Sequence, residues 1–124
     1  MEPKEIIFVY GTLRAGGSNH FRLSGAGTLG AGSVRGRLYR VDWYPALFAD
    51  AAAGPVLGEL FAVSTDTLAA LDAFEGREYR RVRIAVTPAD GGELVNAWVW
   101  EFIEPVDESR RIANGDWLSL DLES

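Results

Sequence analysis

The stretch of sequence that decides the fold reads IIFVYGTLR and spans residues 6–14. Its β-branched and aromatic beginning, Ile6 to Tyr10, predicts a buried β-strand that ends at Gly11. Glycine and small polar residues continue to Asn19 and indicate a loop. Consecutive backbone N–H groups beyond such a strand can stay unpaired and form a nest that binds a carboxylate or an oxyanion. An ordinary turn is the alternative interpretation of this segment.

Four further segments have the pattern of strands. Residues 37–41 alternate polar and apolar side chains, and residues 55–63 are mostly apolar, with Gly58 indicating a bulge or a close backbone approach. Residues 79–87 and 94–102 also alternate, and the sequence DGG between them is typical of a hairpin turn. The tryptophans of the second half are interpreted as packing residues rather than stacking platforms for a ligand.

One helix is predicted after the second apolar strand. Ser64 or Thr65 can cap its start, Asp66 lies favourably in its first turn, and Gly76 is a natural stop. Three apolar residues follow helical spacing: Leu68, Leu71 and Phe74. About five strands with one helix predict an α+β domain with a mostly antiparallel, barrel-like sheet.

Composition narrows the possible functions. The chain has 124 residues, 48% of them apolar, which predicts one domain over residues 1–124 with a core of its own. A net charge of −6 argues against binding to nucleic acid or to an anionic membrane. The absence of cysteine excludes thiol chemistry, and a single histidine, His20, prevents a two-histidine metal site within one subunit. We therefore expect no conventional metal site and no thiol site.

Targeting signals are not evident. The aliphatic run Ile6–Val9 is far shorter than the ~20 residues that span a bilayer. The first five residues lack the basic character of a secretory signal, and no apolar stretch of signal length follows. The sequence predicts a soluble, cytoplasmic protein.

Three other features have ordinary explanations. Residues 25–30 match the dinucleotide pattern GxGxxG, but residues 21–24 make a poor strand and no helix is predicted to follow, so we expect a glycine-rich loop. His20 lies in a polar loop, where a hydrogen-bonding role is favoured over catalysis. Arginines between residues 77 and 83 could hold an anion, although a solvated strand face explains most of them.

Glu75 is the candidate for acid–base chemistry. It stands at the predicted end of the helix, where the macrodipole is negative, and Phe74 could dehydrate it. Both effects raise the pKa of a carboxyl group towards the range that general acid–base catalysis requires. Nearby arginines, Arg77, Arg80 and Arg81, could counter this shift. An exposed glutamate at a helix end is the alternative.

The motifs occur together in a characteristic order. The sequence resembles the γ-glutamylcyclotransferase-like (AIG2-like) family, including its small bacterial members, over nearly the whole chain. The segment from Gly11 to His20 is particularly similar to the γ-glutamylamine cyclotransferase branch. The matching segments are residues 9–14, 36–39, 44–46, 56–61, 71–76, 79–81 and 115–117.

The resemblance implies a fold, a site and a reaction. The fold would be a small mixed β-barrel with one or two flanking short helices and a cavity at one end. Glu75 matches the catalytic carboxylate, Tyr79 is a candidate for lining the pocket, and Arg81 follows it in the family pattern. The substrate would be a small γ-glutamyl amine or peptide, converted without metal, nucleotide or thiol into 5-oxoproline and a free amine. Four residues match the loop that holds the γ-glutamyl group: Tyr10, Gly11, Thr12 and Leu13.

Two classes of function follow from these residues. One is the cyclisation just described, with Glu75 moving protons and the N–H groups of residues 11–13 stabilising the oxyanion. The other is a non-catalytic module on the same fold that binds a small acidic metabolite or contacts a protein. Turnover of γ-glutamyl compounds distinguishes them. The identity of the leaving group and the oligomeric state are not specified by any motif.

Overall fold

The structure is a computed structural model that describes residues 4–119. It contains six strands and one α-helix, connected by loops that include four short 3-10 turns. The elements are β1 (Lys4–Val9), β2 (Gly27–Arg40), β3 (Pro45–Ala49), β4 (Pro55–Ser64), α1 (Thr65–Glu75), β5 (Tyr79–Pro88) and β6 (Val95–Phe102). The 3-10 turns are His20–Leu23, Gly76–Glu78, Glu108–Arg110 and Trp117–Ser119.

Five of the strands close into a barrel. Their order is β2-β4-β1-β6-β5, and a short pairing of β5 with β2 completes the circle, while β3 extends the sheet from β2. Strands β1 and β6 are parallel, and the other pairs are antiparallel. The predicted α+β fold with a small, mixed, mostly antiparallel barrel is therefore confirmed. The single domain over residues 1–124 stays a prediction.

The glycine-rich segment is strand rather than loop. Our expectation of a loop over residues 25–30 is wrong from Gly27 onward, because β2 runs unbroken for 14 residues. Gly30 has a φ of 105° and lies at a register shift against β4, so it forms a bulge that bends the strand. Gly58 of β4, which pairs with Gly32, makes a close backbone approach, one of the two features predicted there, since a Cβ on Gly58 would lie 2.2 Å from the Val9 carbonyl oxygen. These glycines let the sheet curve into a barrel.

Alternation along the strands divides the apolar residues between two layers. In β1, Phe8 faces the barrel interior, while Ile7 and Val9 belong to a second cluster that packs with α1. Trp100 of β6 is buried in that second cluster, and Trp117 fills the interior. The interpretation of these two tryptophans as packing residues is confirmed.

The helix has the predicted boundaries. The Ser64 hydroxyl oxygen accepts a hydrogen bond of 3.1 Å from the backbone N–H of Thr67, and Gly76 ends α1 with a φ of 77°. Leu68 and Leu71 are buried against the sheet, which fixes the rotation of the helix about its axis. The last residue, Glu75, is thereby placed beside the end of β1. Among residues 4–119, no helix has the length and hydrophobicity needed to cross a membrane.

Candidate active site

A cavity of about 160 Å³ opens where β1 ends and β5 begins. All six residues that we predicted as site residues line it, although they come from the β1 loop, the end of α1 and the start of β5. Its inner part is lined by buried residues such as Tyr10 and Trp100, and its mouth by the exposed Trp43 and Glu78. The lining residues are Phe8, Val9, Tyr10, Gly11, Thr12, Leu13, Trp43, Tyr44, Pro45, Phe74, Glu75, Glu78, Tyr79 and Trp100.

The loop after β1 carries a set of free backbone donors. Within residues 4–119, the N–H groups of Gly11, Thr12 and Leu13 donate no hydrogen bond to the protein, although all three residues are buried. Their carbonyl groups are used: Gly11 accepts from the Arg14 N–H at 3.0 Å, and Thr12 accepts from the Asn19 N–H at 2.8 Å. Three consecutive buried donors without a protein partner make a site for an anionic oxygen.

Side chains hold this loop from outside the cavity. The Arg14 guanidinium contacts the Glu59 carboxylate at 2.6 Å and the Asp116 carboxylate at 2.8 Å. The other Glu59 oxygen accepts from the Ala15 N–H at 2.7 Å. His20 places Nδ1 2.9 Å from the Leu13 carbonyl oxygen, in agreement with a hydrogen-bonding role. These contacts fix the loop without using the N–H groups of Gly11, Thr12 and Leu13, which stay available.

Glu75 is a half-buried carboxyl group without a protein partner in the described part of the chain. Burial disfavours its charged form and raises its pKa from 4.5 to about 7. Of the arginines that could have countered this shift, Arg81 is paired to Asp72 at 2.9 Å and Arg80 to Glu101 at 3.0 Å. Near neutral pH, Glu75 can therefore both accept and donate a proton.

Two tyrosines brace the cavity wall. The Tyr79 hydroxyl donates to the Pro45 carbonyl at 2.5 Å, and the Tyr10 hydroxyl donates to the Trp100 carbonyl at 2.7 Å. Burial raises the pKa of both phenols, and the nearby Glu75 carboxylate raises them further. Both hydroxyls therefore stay protonated. Their hydrogen bonds connect the cavity wall to β3, through Pro45, and to β6, through Trp100.

The sequence analysis identified only some of the residues that line the cavity. Phe74 was expected to dehydrate Glu75 and does lie beside it in the cavity. Pro45 packs against Gly11 so closely that a Cβ on Gly11 would lie 2.5 Å from the Pro45 Cγ. The sequence analysis identified Tyr44 and Pro45 only as part of a segment that matches the family, not as cavity residues. Trp43, Glu78 and Trp100 had no local signal as cavity residues.

The arginines between residues 77 and 83 do not line the cavity. Arg81 and Arg83 both stack on the Trp98 indole, with guanidinium carbons 4.3 and 4.1 Å from its ring centroid. Arg83 also approaches the Glu5 carboxylate at 4.0 Å. These contacts agree with a structural strand face, and Arg81, which follows Tyr79 in the family pattern, is not among the described residues that line the cavity.

Comparison with known proteins places this fold and cavity in a family. Residues 7–119 match the family described as "Gamma-glutamyl cyclotransferase, AIG2-like". The chain belongs to this family, as its motifs indicated.

Individual relatives agree with that assignment. The "Gamma-glutamylcyclotransferase family protein YtfP" of Escherichia coli K12 is 37% identical over 118 residues, which cover 93% of this chain and 97% of YtfP. The crystal structure of PH0828 from Pyrococcus horikoshii is similar with a TM-score of 0.75 at 30% identity, covering 93% of this chain and 91% of that one. An AIG2-like protein from Mus musculus has a TM-score of 0.73 at 25% identity, covering 95% and 84%.

Proposed function

We propose that the protein is a cofactor-independent γ-glutamylcyclotransferase that releases 5-oxoproline and a free amine from a small γ-glutamyl substrate. Family membership supports the reaction class. The observation that carries the proposal is the cavity itself, whose lining includes a carboxyl group with a pKa of about 7 and three consecutive residues with free backbone N–H groups. This reaction requires proton transfer and stabilisation of an oxyanion.

The size of the cavity fits the glutamyl end of such a substrate. A volume of about 160 Å³ is close to that of a cavity that holds a single benzene molecule. It can take the glutamyl chain but not a whole peptide, so the leaving group would extend through the mouth. Holding the glutamyl chain folded brings its own amine to its own carbonyl, and such positioning lowers the barrier of an intramolecular reaction.

The proton movements can be assigned to Glu75. Its ionised carboxylate takes a proton from the α-ammonium group, and the resulting amine attacks the γ-carbonyl carbon. The N–H groups of Gly11, Thr12 and Leu13 stabilise the oxyanion of the tetrahedral intermediate. Glu75 then returns the proton to the departing nitrogen as the carbon–nitrogen bond breaks, and the second proton of the ring nitrogen passes to the released amine, which leaves as an ammonium ion and gives the neutral lactam of 5-oxoproline. One carboxyl group with a pKa near the working pH serves both steps, and it ends in the state in which it began.

The experiment is 5-oxoproline release from a panel of γ-glutamyl amines and peptides. We expect turnover by the unaltered protein and a loss of about 10²- to 10⁴-fold in kcat for Glu75→Gln, the usual contribution of general acid–base catalysis. Glu93→Gln, at an exposed position in the β5–β6 turn, removes the same charge and should keep full activity. Substrate binding without any turnover by the unaltered protein would instead favour the non-catalytic binding module.

A further inference from the structure

The carboxylate of Asp72 has no task in the proposed reaction, although it lies about one helical turn before Glu75. Side chains three positions apart on a helix are neighbours, with Cβ atoms about 5–6 Å apart. The Asp72 Oδ1 atom accepts two hydrogen bonds of 2.9 Å, one from the Arg81 Nε–H and one from the indole N–H of Trp100, which lines the cavity. Asp72 thus joins the last turn of α1 to β5 and to β6.

Arg81 lies on the face of β5 that also carries Tyr79. Residues two apart on a strand point to the same side of the sheet and lie about 7 Å apart. Tyr79 lines the cavity, and the Glu75 carboxylate is close enough to raise the pKa of its phenol. The Arg81 side chain is 28% exposed, so water screens its charge less than that of an exposed arginine. Without a counter-charge, Arg81 would favour the ionised form of Glu75 and lower its pKa.

Other arginines near Glu75 are more exposed. Arg22, in the first 3-10 turn, has its guanidinium carbon 4.0 Å from the centroid of the Phe74 ring. Arg22 and Arg77 are both exposed, so water and salt screen their charges. Arg81 is half-buried, and its charge is the one that a fixed partner has to cancel.

The remaining titratable groups around Glu75 add no positive charge. Glu101 of β6 is paired with Arg80 at 3.0 Å, and Glu78 lies exposed at the cavity mouth. Burial raises the pKa of the phenols that line the cavity, so they are neutral at the pH at which Glu75 titrates: Tyr10, Tyr44 and Tyr79. The balance of charge beside Glu75 therefore depends on the ion pair between α1 and β5.

We propose that Asp72 is a positioning residue that holds the Arg81 guanidinium in an ion pair and cancels its charge, so that no uncompensated cation acts on Glu75. This inference rests on the proposed function, because it concerns the carboxyl group that moves the protons. Removal of either charge leaves the other one uncompensated. Loss of the Asp72 charge should then lower the pKa of Glu75, and loss of the Arg81 charge should raise it.

Exchange of each charged group for an amide tests the pair. Asp72→Asn keeps an oxygen that can accept from the Trp100 indole, and Arg81→Gln removes the cation. The titration of Glu75 is followed by NMR through the chemical shift of its carboxyl carbon, which is assigned by its absence in Glu75→Gln. A unit charge about 7 Å away, at a partly solvated position, changes a pKa by about half a pH unit to one pH unit.

The two single variants should change the pKa of Glu75 in opposite directions. We expect a fall of about half a pH unit to one pH unit in Asp72→Asn and a rise of similar size in Arg81→Gln. The double variant should return to within about 0.3 of the unaltered pKa, because neither charge remains. Asp66→Asn is the matched control. It removes an exposed carboxylate from the first turn of the same helix, about 14 Å from Glu75, and should leave the pKa unchanged.

Opposite changes distinguish a charge effect from a loss of packing. Looser packing would let more water reach Glu75 and would lower its pKa in both variants. Changes in the same direction, no change in either single variant, or a double variant that keeps the change of one of them would overturn the inference. If Asp72→Asn does not fold, Arg81→Gln decides alone: a raised pKa supports the inference, and an unchanged or lowered one overturns it.

Turnover gives a second readout and separates this inference from the proposed reaction. In Asp72→Asn, kcat/KM at about pH 5.5, relative to its own plateau, should be about three- to eightfold higher than in the unaltered protein, because more of the base is ionised. The expected pKa changes without turnover of any γ-glutamyl substrate would support the inference and refute only the cyclotransferase proposal. Turnover with a Glu75 pKa that neither single variant changes would refute only the inference.

Discussion

Burial of Glu75 should make the protein less stable as the pH rises. The folded-state pKa of about 7 lies above the ordinary value of 4.5, so between these values the native state binds more protons than the unfolded state. This contribution to stability is complete below pH 4.5 and is lost as the pH rises through 7. The difference between the two pKa values corresponds to about 3 kcal/mol at 1.36 kcal/mol per pH unit. Because Glu75 is only half-buried, we expect about 2 kcal/mol.

The substitution Glu75→Gln isolates this effect, since glutamine is similar in size and does not ionise. Its buried amide adds a change in stability that is constant with pH, so the quantity of interest is how the difference from the unaltered protein varies with pH. Urea unfolding at pH 5, 6, 7 and 8 should show the variant gaining about 2 kcal/mol relative to the unaltered protein across that range. Glu93→Gln, at an exposed position, should show no such gain.

The reasoning would be refuted if the difference between Glu75→Gln and the unaltered protein stayed constant with pH, or if the variant lost relative stability towards pH 8. Either result would mean that the carboxylate is well solvated in the native state. It would then lack the raised pKa on which its proposed role depends.

Three other results are expected. In a pH profile of kcat/KM, activity should fall below about pH 7, because the proposed base must be ionised to accept a proton; an acidic limb near pH 4.5 would contradict this. Gly11→Ala should cost at least tenfold in activity and about 1–3 kcal/mol in stability, since its Cβ would lie 2.5 Å from the Pro45 Cγ, whereas Gly54→Ala, with no atom within 4 Å, should be tolerated in both assays. Ser64→Ala should lower the free energy of unfolding by about 1 kcal/mol through loss of the helix cap, without changing KM; an unchanged urea midpoint would contradict it.

The local elements could be predicted because each has a local cause. The apolar run before Gly11 predicted β1, and Ser64 and Gly76 predicted both ends of α1. The direction of the pKa shift of Glu75 could also be predicted, because Glu75 stands at a helix end beside Phe74. The sequence could not show whether nearby arginines cancel this pKa shift, because only the folded chain shows that Arg81 is paired with Asp72 instead.

The glycine-rich segment shows where local reasoning fails. Glycine has low strand propensity, so residues 25–30 indicated a loop. In the fold, Gly30 allows a bulge, and Gly32, two residues further along β2, packs so closely on Val86 that a Cβ would lie 2.9 Å from a side-chain methyl group. The advantage of glycine there comes from strands that are distant in the sequence.

The amino-acid sequence by itself determined β1, β4, β5, β6 and the end of β2, the helix and its boundaries, and the two motifs that the cavity later joins, whereas β3 and the glycine-rich start of β2 were not predicted. Those features depend on residues within a few positions of one another, through side-chain alternation, capping and turn preference. Only the tertiary structure decided that Glu75 approaches the loop after β1, that Pro45 packs on Gly11, and that Trp43 and Glu78 share the cavity mouth. Such contacts follow from closure of the barrel, which brings residues more than 30 positions apart together and removes water from between them.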